Sequence, residues 1–175
     1  MEQNISFDNN NNEEQLFKQI KQMLDTARRH IANTVNSTTV EAYWQVGKYI
    51  VEYEQQGKSR AEYGKGVIKN LSQRLMDEYG GGFTVPNLKF MRQFYMCYPK
   101  GYAMRSQLSW THWRTLLKVQ NEEARNYYIA ECVAENWSTR QLERQINTMF
   151  YERMLVSRDK EKVKKEIQHS APQTL

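Results

Sequence analysis

The sequence predicts an all-α fold, a multi-helix bundle that contains helix-turn-helix-like units. Apolar residues recur at the three- and four-residue spacing of amphipathic helices along most of the chain. The boundaries between these segments carry helix caps and stops, among them Ser138, Gly80 and Pro99. Strand-like alternation of convincing length occurs nowhere in the 175 residues. A chain of this length can bury one core, so we expect one helical domain over residues 13–156.

The first part of the chain is expected to form a disordered tail followed by an antiparallel pair of helices. Residues 1–12 are polar and rich in Asn, without periodicity. Apolar positions recur over residues 13–36, which predicts the first helix. A Ser-Thr-Thr cap then predicts a separate helix over residues 37–56 that folds back on the first. Gly47 would be tolerated in that second helix if another helix crosses closely there.

The later helices are expected to follow one another closely. Their predicted positions are residues 63–79, 84–98, 109–119 and 121–135, with the last helix running from residue 138 to at least residue 151. Three Gly residues end the first of them, and Thr84 with Pro86 begins the next. Ser138 and Gln141 have the spacing of a capping box. Residues 157–175 are predicted to form a charged, helical or flexible tail that would lead to an absent C-terminal domain.

Two of these helix pairs are candidates for helix-turn-helix units. The last pair is joined by a turn at Asn136 and Trp137, short enough for its second helix to enter a DNA groove. That helix is predicted to have an apolar sector of Leu142, Ile146, Met149 and Phe150 and a polar face of Arg140, Arg144, Asn147 and Tyr151. Such polar groups contact phosphates and base edges. A solvated helix face is the alternative interpretation.

The net charge of +5 is unevenly distributed along the chain. Residues 79–121 contain six Lys and Arg side chains and no Asp or Glu, which suits a polyanionic partner. Because this segment is also rich in aromatic residues, burial of much of it is the alternative. The other helix-turn-helix candidate is the helix over residues 63–79 with the helix that follows Thr84, whose polar face carries Lys89, Arg92 and Gln93. Together with Arg114 of the short helix after Ser109 and the polar face of the last helix, the candidate nucleic-acid contacts are Lys89, Arg92, Gln93, Arg114, Arg140, Arg144 and Asn147.

Other classes of function have little support in the sequence. No apolar run approaches the roughly 18 residues of a membrane span, and the N-terminus lacks the regions of a signal peptide. Cys97 and Cys132 are isolated and lack metal-ligand spacing, and His112 beside two Trp is typical of a packed histidine. We therefore expect a cytoplasmic protein without catalytic residues, a metal, a cofactor or a small-molecule substrate.

Several runs of sequence resemble the N-terminal domain of the YhcG family, in the same order, over about residues 13–165. They include VEAYWQVGKYI from Val40, GFTVPNLKFMRQFY from Gly82, LSWTHWRTLL from Leu108 and NWSTRQLERQI from Asn136. The resemblance implies a helical domain, generally regarded as DNA-binding, that precedes a PD-(D/E)XK nuclease-like domain. That chemistry needs an Asp and a Glu-x-Lys on neighbouring strands to hold a metal ion. The lookalike at Asp159 lies in a helical tail, so we expect the catalytic domain to be absent from this chain.

Two functions remain open from the sequence. The first is a module that binds nucleic acid, with duplex DNA favoured because most aromatic residues lie at core positions. It requires the cations of two distant segments to converge on one surface. The second is a protein-interaction or homodimerisation module that uses the long first helix and the charged helix after Ser157. Both functions can coexist, since DNA-binding helix pairs are commonly dimeric.

Overall fold

The computed structural model describes the backbone of residues 6–56, 63–101 and 108–157. Over these ranges the chain forms seven α-helices and one short 3-10 helix, and the described residues contain no β-strand. The helices are α1 (Ser6–Gln56), α2 (Tyr63–Tyr79), the 3-10 helix (Gly81–Phe83), α3 (Val85–Cys97), α4 (Trp110–Leu116), α5 (Glu122–Ala134), α6 (Thr139–Asn147) and α7 (Phe150–Val156). The all-α prediction is confirmed.

The first helix differs from the prediction, because α1 is one unbroken helix of 51 residues. The predicted antiparallel hairpin is therefore wrong. Ser37, the first residue of the expected Ser-Thr-Thr cap, instead bonds back onto the preceding turn, where its Oγ donates to Thr34 O at 3.0 Å. Thr34, one turn earlier, does the same, with its Oγ1 donating to His30 O at 2.9 Å. Ser and Thr can serve either purpose, so the motif alone does not end a helix.

The segment from Ser6 to residue 12 is also helical, where a disordered tail was predicted. Extending a helix that already exists avoids the cost of nucleation, so even an Asn-rich segment can continue α1. Residues 1–5 of that predicted tail lie outside the described residues. The length of α1 nevertheless gives no membrane span: among the described helices, none is apolar enough over a sufficient length to cross a bilayer.

The C-terminal half of α1 crosses α3 at Gly47. A Cβ atom at Gly47 would lie 2.0 Å from the carbonyl oxygen of Met91 and 2.7 Å from its carbonyl carbon. The two backbones can meet this closely only because residue 47 has no side chain. Ile50, Leu88 and Met91 form a small buried cluster around the crossing. The expectation of a close helix at Gly47 is confirmed, although the crossing helix is α3.

Helices α4 to α7 pack with parts of α1 and α3 around an aromatic core. Its largest buried side chains include Phe94, Trp113, Tyr128, Trp137, Leu142 and Phe150. Hydrogen bonds satisfy indole groups at the edge of this core: Trp44 Nε1 donates to Tyr98 O at 2.9 Å, and Trp110 Nε1 donates to Asn87 Oδ1 at 2.8 Å. Much of the basic, acid-free segment therefore supplies core residues, as its aromatic content indicated.

The connection between α2 and α3 agrees with the prediction. Gly80 adopts a positive φ of 82°, which ends α2 at Tyr79. Thr84 has the extended conformation of an N-cap, and Pro86 lies in the first turn of α3. Ser72 Oγ donates to Phe83 O at 2.8 Å and holds the 3-10 helix against α2.

The helices after Ser138 differ from the prediction. We expected one helix from residue 138 to at least residue 151, but α6 ends at Asn147 and α7 begins at Phe150. Between them Met149 is left-handed, with a φ of 51°, and its side chain is exposed rather than in the apolar sector. Tyr151 therefore leaves the predicted polar face, and its hydroxyl donates to Glu123 Oε2 at 3.3 Å. The predicted tail after residue 157 lies outside the described residues.

Gly47→Ala tests the crossing of α1 and α3. Helix propensity alone would favour Ala by about 1 kcal/mol. The added methyl group would overlap the Met91 carbonyl, so we expect the free energy of unfolding to fall by about 2 kcal/mol or more. Chemical denaturation followed by circular dichroism measures the change. Gly66→Ala is the matched control, because a Cβ at Gly66 in α2 meets nothing within 4 Å. A Gly47→Ala variant as stable as the Gly66→Ala variant would contradict the crossing.

Candidate nucleic-acid interface

The candidate residues on α3 have different environments. The Lys89 side chain is exposed. Arg92 instead forms an ion pair with α1, in which its Nε lies 2.7 Å from Glu54 Oε2. Gln93 Nε2 donates to the backbone oxygen of Leu117 at 2.9 Å. Arg92 and Gln93 are therefore occupied in joining α3 to its neighbours, which leaves Lys89 as the outward-facing candidate on this helix.

Arg114 on α4 lies beside the same part of α3. Its guanidinium is 5.5 Å from the centre of the Phe90 ring, a cation–π contact at an exposed site. The Arg114 guanidinium therefore lies against α3, the helix that also carries the exposed Lys89. The contact also holds the Arg114 side chain in a defined orientation.

The caps predicted for α5 and α6 are present. Asn121 Oδ1 accepts a hydrogen bond from Ala124 N at 2.9 Å, which caps α5. Ser138 N donates to Gln141 Oε1 at 2.7 Å, and Gln141 N donates to Ser138 Oγ at 3.3 Å, so the capping box begins α6. The turn between the helices is closed by Asn136, which has a φ of 50°. Asn tolerates this left-handed conformation better than most residues.

The polar face of α6 is exposed, and one edge of it adjoins α4. Leu142 and Gln145 are buried. Arg140, Arg144 and Asn147 are exposed on the outer side of the helix. At the boundary with α4, Thr115 Oγ1 donates to Glu143 Oε1 at 3.4 Å. The helices that carry the candidate cations Arg114 and Arg140 therefore contact each other, and the Glu143 carboxylate lies at their boundary.

His112 fixes α4 against the turn that leads into α6. Ser109 N donates to its Nδ1 at 3.3 Å, and Ser109 Oγ lies 2.7 Å from the same atom. The other ring nitrogen, Nε2, donates to Trp137 O at 3.0 Å. Both ring nitrogens are engaged, which assigns a neutral ring with its proton on Nε2. Burial lowers the pKa of His112, and the hydrogen bond to Trp137 partly opposes this.

Arg125 is a buried cation that the sequence analysis did not single out. Its Nε donates to the Tyr98 hydroxyl at 3.0 Å, and its Nη1 donates to Val119 O at 3.0 Å. At 100° per residue Arg125 falls near the apolar sector of Ala124, Tyr128 and Cys132, which could have predicted its burial. Arg125 joins α5 to the end of α3 and is not available to a ligand.

Two features of the described residues concern metal binding and thiol reactivity. Within the described ranges, no group of three or more His, Cys, Asp or Glu side chains could hold a metal ion. Burial raises the pKa of Cys132 to about 11, so its thiol is protonated at neutral pH and is a poor nucleophile.

Comparison with known proteins agrees with the sequence resemblance. Residues 19–153 match the DUF1016 N-terminal domain, well over half of the chain. The chain belongs to the DUF1016 N-terminal domain family. A curated relative from Escherichia coli (strain K12), named "Putative nuclease YhcG", is 35% identical over 179 aligned residues, covering 84% of this chain and 48% of the relative. The chain thus spans about half the length of that relative. No solved structure shows significant similarity to this chain.

All seven candidate residues lie inside the segment that matches the DUF1016 N-terminal domain. The family match begins at residue 19, within α1, so the first part of that helix precedes it. The surface of α3, α4 and α6 therefore belongs to the common domain.

The lowered pKa of His112 predicts a pH-dependent stability. The unfolded chain takes up a proton on this ring near the ordinary pKa of 6.5, whereas the folded domain takes it up only at lower pH. Stability contributed by neutral His112 is thus complete above about pH 6.5 and is lost as the pH falls toward the folded pKa. His112→Gln, which can keep the capping box, should lose less stability than the wild type between about pH 7.5 and pH 5.5.

Denaturant titrations at the two pH values measure this difference. His30→Gln is the matched control, because His30 is exposed on α1. An unchanged pH dependence in the His112→Gln variant would show that the packed ring does not resist protonation.

Proposed function

We propose that this DUF1016 N-terminal domain binds nucleic acid, duplex DNA in particular, over the outer sides of α3, α4 and α6. The observation that carries the proposal is the position of α4. It contacts α3 through Arg114 and Phe90, and it contacts α6 through Thr115 and Glu143. Exposed cations from two distant segments of the sequence therefore lie on a continuous group of helices.

Five of the seven candidates support the proposal directly. These are the exposed side chains of Lys89, Arg114, Arg140, Arg144 and Asn147. The ion pair between Arg92 and Glu54 and the hydrogen bond of Gln93 make those two supporting residues, which orient α3. Four exposed cations correspond to a small phosphate footprint. Binding should then be of moderate affinity and should weaken steeply with salt.

Duplex DNA is favoured over single strands because of where the aromatic residues lie. Binding of single strands uses exposed aromatic rings on which bases stack. Here Phe94, Trp113 and Trp137 are buried, and the exposed face of α6 carries guanidinium and amide groups instead. The pair α5 and α6 is, in this proposal, a helix-turn-helix-like unit whose second helix approaches the groove.

The relative's name adds support for nucleic acid as the partner. "Putative nuclease YhcG" is about twice as long as this chain, which covers 48% of it. In the proposed division of labour, the helical domain holds the nucleic acid and bond cleavage is carried out by a separate catalytic domain. A cytoplasmic location accompanies the proposal, since Cys97 and Cys132 are free thiols and a reducing compartment keeps them so.

Protein–protein interaction is a second candidate function, and a separate observation favours it. From residue 12 to residue 38, every side chain of α1 is exposed or only partly covered. This stretch nevertheless carries seven of the large exposed hydrophobic side chains, including Leu16, Ile20 and Ile31. Apolar side chains in a continuous stripe on an exposed helix indicate a surface that another protein covers.

Fluorescence anisotropy with a labelled duplex of about 20 base pairs tests the nucleic-acid proposal. We expect binding at about 50 mM salt that weakens steeply by about 200 mM. Lys89→Ala, Arg114→Ala and Arg140→Ala should each weaken binding about 3- to 10-fold and lower the slope of log K against log salt by about 0.9.

Lys69→Ala is the matched control for these variants. It removes one exposed positive charge from α2 and should leave the affinity and the salt slope unchanged. A single strand of the same sequence and length should bind more weakly than the duplex. The absence of binding at about 50 mM salt, or equal losses for Lys69→Ala and Arg114→Ala, would contradict the proposed surface.

A further inference from the structure

The exposed N-terminal part of α1, residues 12–38, is termed the arm. It extends for about 40 Å at 1.5 Å per residue. Its apolar stripe consists of Leu16, Phe17, Ile20, Met23, Leu24, Ile31 and Val35, which are between 45% and 64% exposed. None of these side chains belongs to either buried cluster of the domain. The stripe follows helical spacing, so a second helix could bury most of it at once.

The stripe faces away from the body of the domain. At 100° per residue, the stripe of the arm and the buried face of the C-terminal half of α1, which includes Val40, Trp44 and Ile50, lie roughly 180° apart around the helix. The body occupies one side of α1 after about residue 40. The apolar side of the arm is thus left open to another molecule, and the chain's own body does not block it.

The charges of the arm show which partner fits it. Glu13 and Glu14 lie near its beginning and Arg28 and Arg29 lie about two-thirds of the way along, while between them Lys21 pairs with Asp25 of the same chain at 3.1 Å. A second arm that runs in the opposite direction places the acidic part of each copy beside the basic part of the other. A second arm that runs in the same direction aligns like charges instead.

A heptad assignment gives the register of the antiparallel pair. With Phe17, Leu24 and Ile31 at a positions, Ile20 and Ala27 occupy d positions, and Glu14 and Arg28 occupy e positions. In an antiparallel pair centred near residue 22, Leu24 packs against Ile20 of the second copy, while Ile31 lies opposite Glu13 toward each end. In the same register the flanking e positions bring Glu14 beside Arg28 of the second copy, twice by symmetry, and bring the two Lys21 side chains together at the axis, where Asp25 of the same chain pairs with each. The central apolar contacts and the two Glu14–Arg28 pairs favour this register.

We propose that the arm is a homodimerisation element, in which two copies of this chain pair their α1 arms antiparallel with Glu14 beside Arg28. The inference goes beyond nucleic-acid binding and does not rest on it. Within one chain Glu14 lies 3.7 Å from Lys18, and both side chains are at least 60% exposed. Such a surface pair is weak, so Glu14 is available to a cation of the second copy.

Sedimentation velocity and light scattering of the full 175-residue chain, from about 1 to about 100 µM and without nucleic acid, test the dimer. We expect a concentration-dependent monomer–dimer equilibrium. Leu24→Asp should raise the dimer dissociation constant about 100-fold or more, because it places a charge in the apolar seam. Since Leu24 is 46% exposed, this variant should keep the helical content and unfolding of the wild type.

Gln22→Asp is the matched control, because it adds the same charge on the opposite, exposed side of the arm and should leave the dimer intact.

Charge reversal tests the direction of pairing. Glu14→Arg and Arg28→Glu should each raise the dissociation constant, by about 3- to 10-fold, and the double variant should restore it. A wild-type chain that stays monomeric at about 100 µM, or a Leu24→Asp chain as dimeric as wild type, would overturn the proposal. Failure of the double variant to restore the dimer would overturn the antiparallel register. The affinity for DNA is measured separately, with the Arg114→Ala variant, so failure of one proposal does not imply failure of the other.

Discussion

The direct contact between the backbones of α1 and α3, at Gly47 and Met91, is the constraint on which the rest of the structure depends. It fixes the angle and depth at which the long helix meets the domain. Helix α3 in turn contacts the rest of the domain, since Phe94 packs in the aromatic core and Phe90 contacts Arg114 of α4. Glu54 lies on α1 about two helical turns beyond Gly47, and its ion pair with Arg92 of α3 also holds the two helices together.

Local signals in the sequence predicted most of the short elements, because those elements end where side chains satisfy their own backbone. The capping box at Ser138 and Gln141, the cap at Asn121 and the left-handed Gly80 have few alternatives of comparable energy. The Ser37 hydroxyl does have an alternative, a bond back to Thr34 O in the preceding turn. A Ser-Thr-Thr sequence is compatible with both a helix break and a continuous helix, so α1 could not be predicted as one element.

The candidate interface was predictable only in part, for a related reason. Helical spacing placed Lys89, Arg140 and Asn147 on polar faces, and those side chains are exposed. The same spacing cannot show which polar side chain meets another helix. Arg92 lies at the edge of the polar face of α3, where it meets Glu54 of α1, and this contact joins residues 38 positions apart in the sequence. Only the packing of whole helices decides such pairings.

The continuity of α1 has a geometric consequence. Because one rigid rod serves both the arm and the body, the direction in which the arm's stripe points is set by the number of residues between them. Each residue added or removed near residue 38 would turn the arm by about 100° and shift it by 1.5 Å relative to the body. Two inserted residues would swing the stripe toward the side that the body occupies, while about seven would return it almost to its original heading. The number of residues between the arm and the body therefore sets the direction of the stripe as well as the distance of the arm from the body.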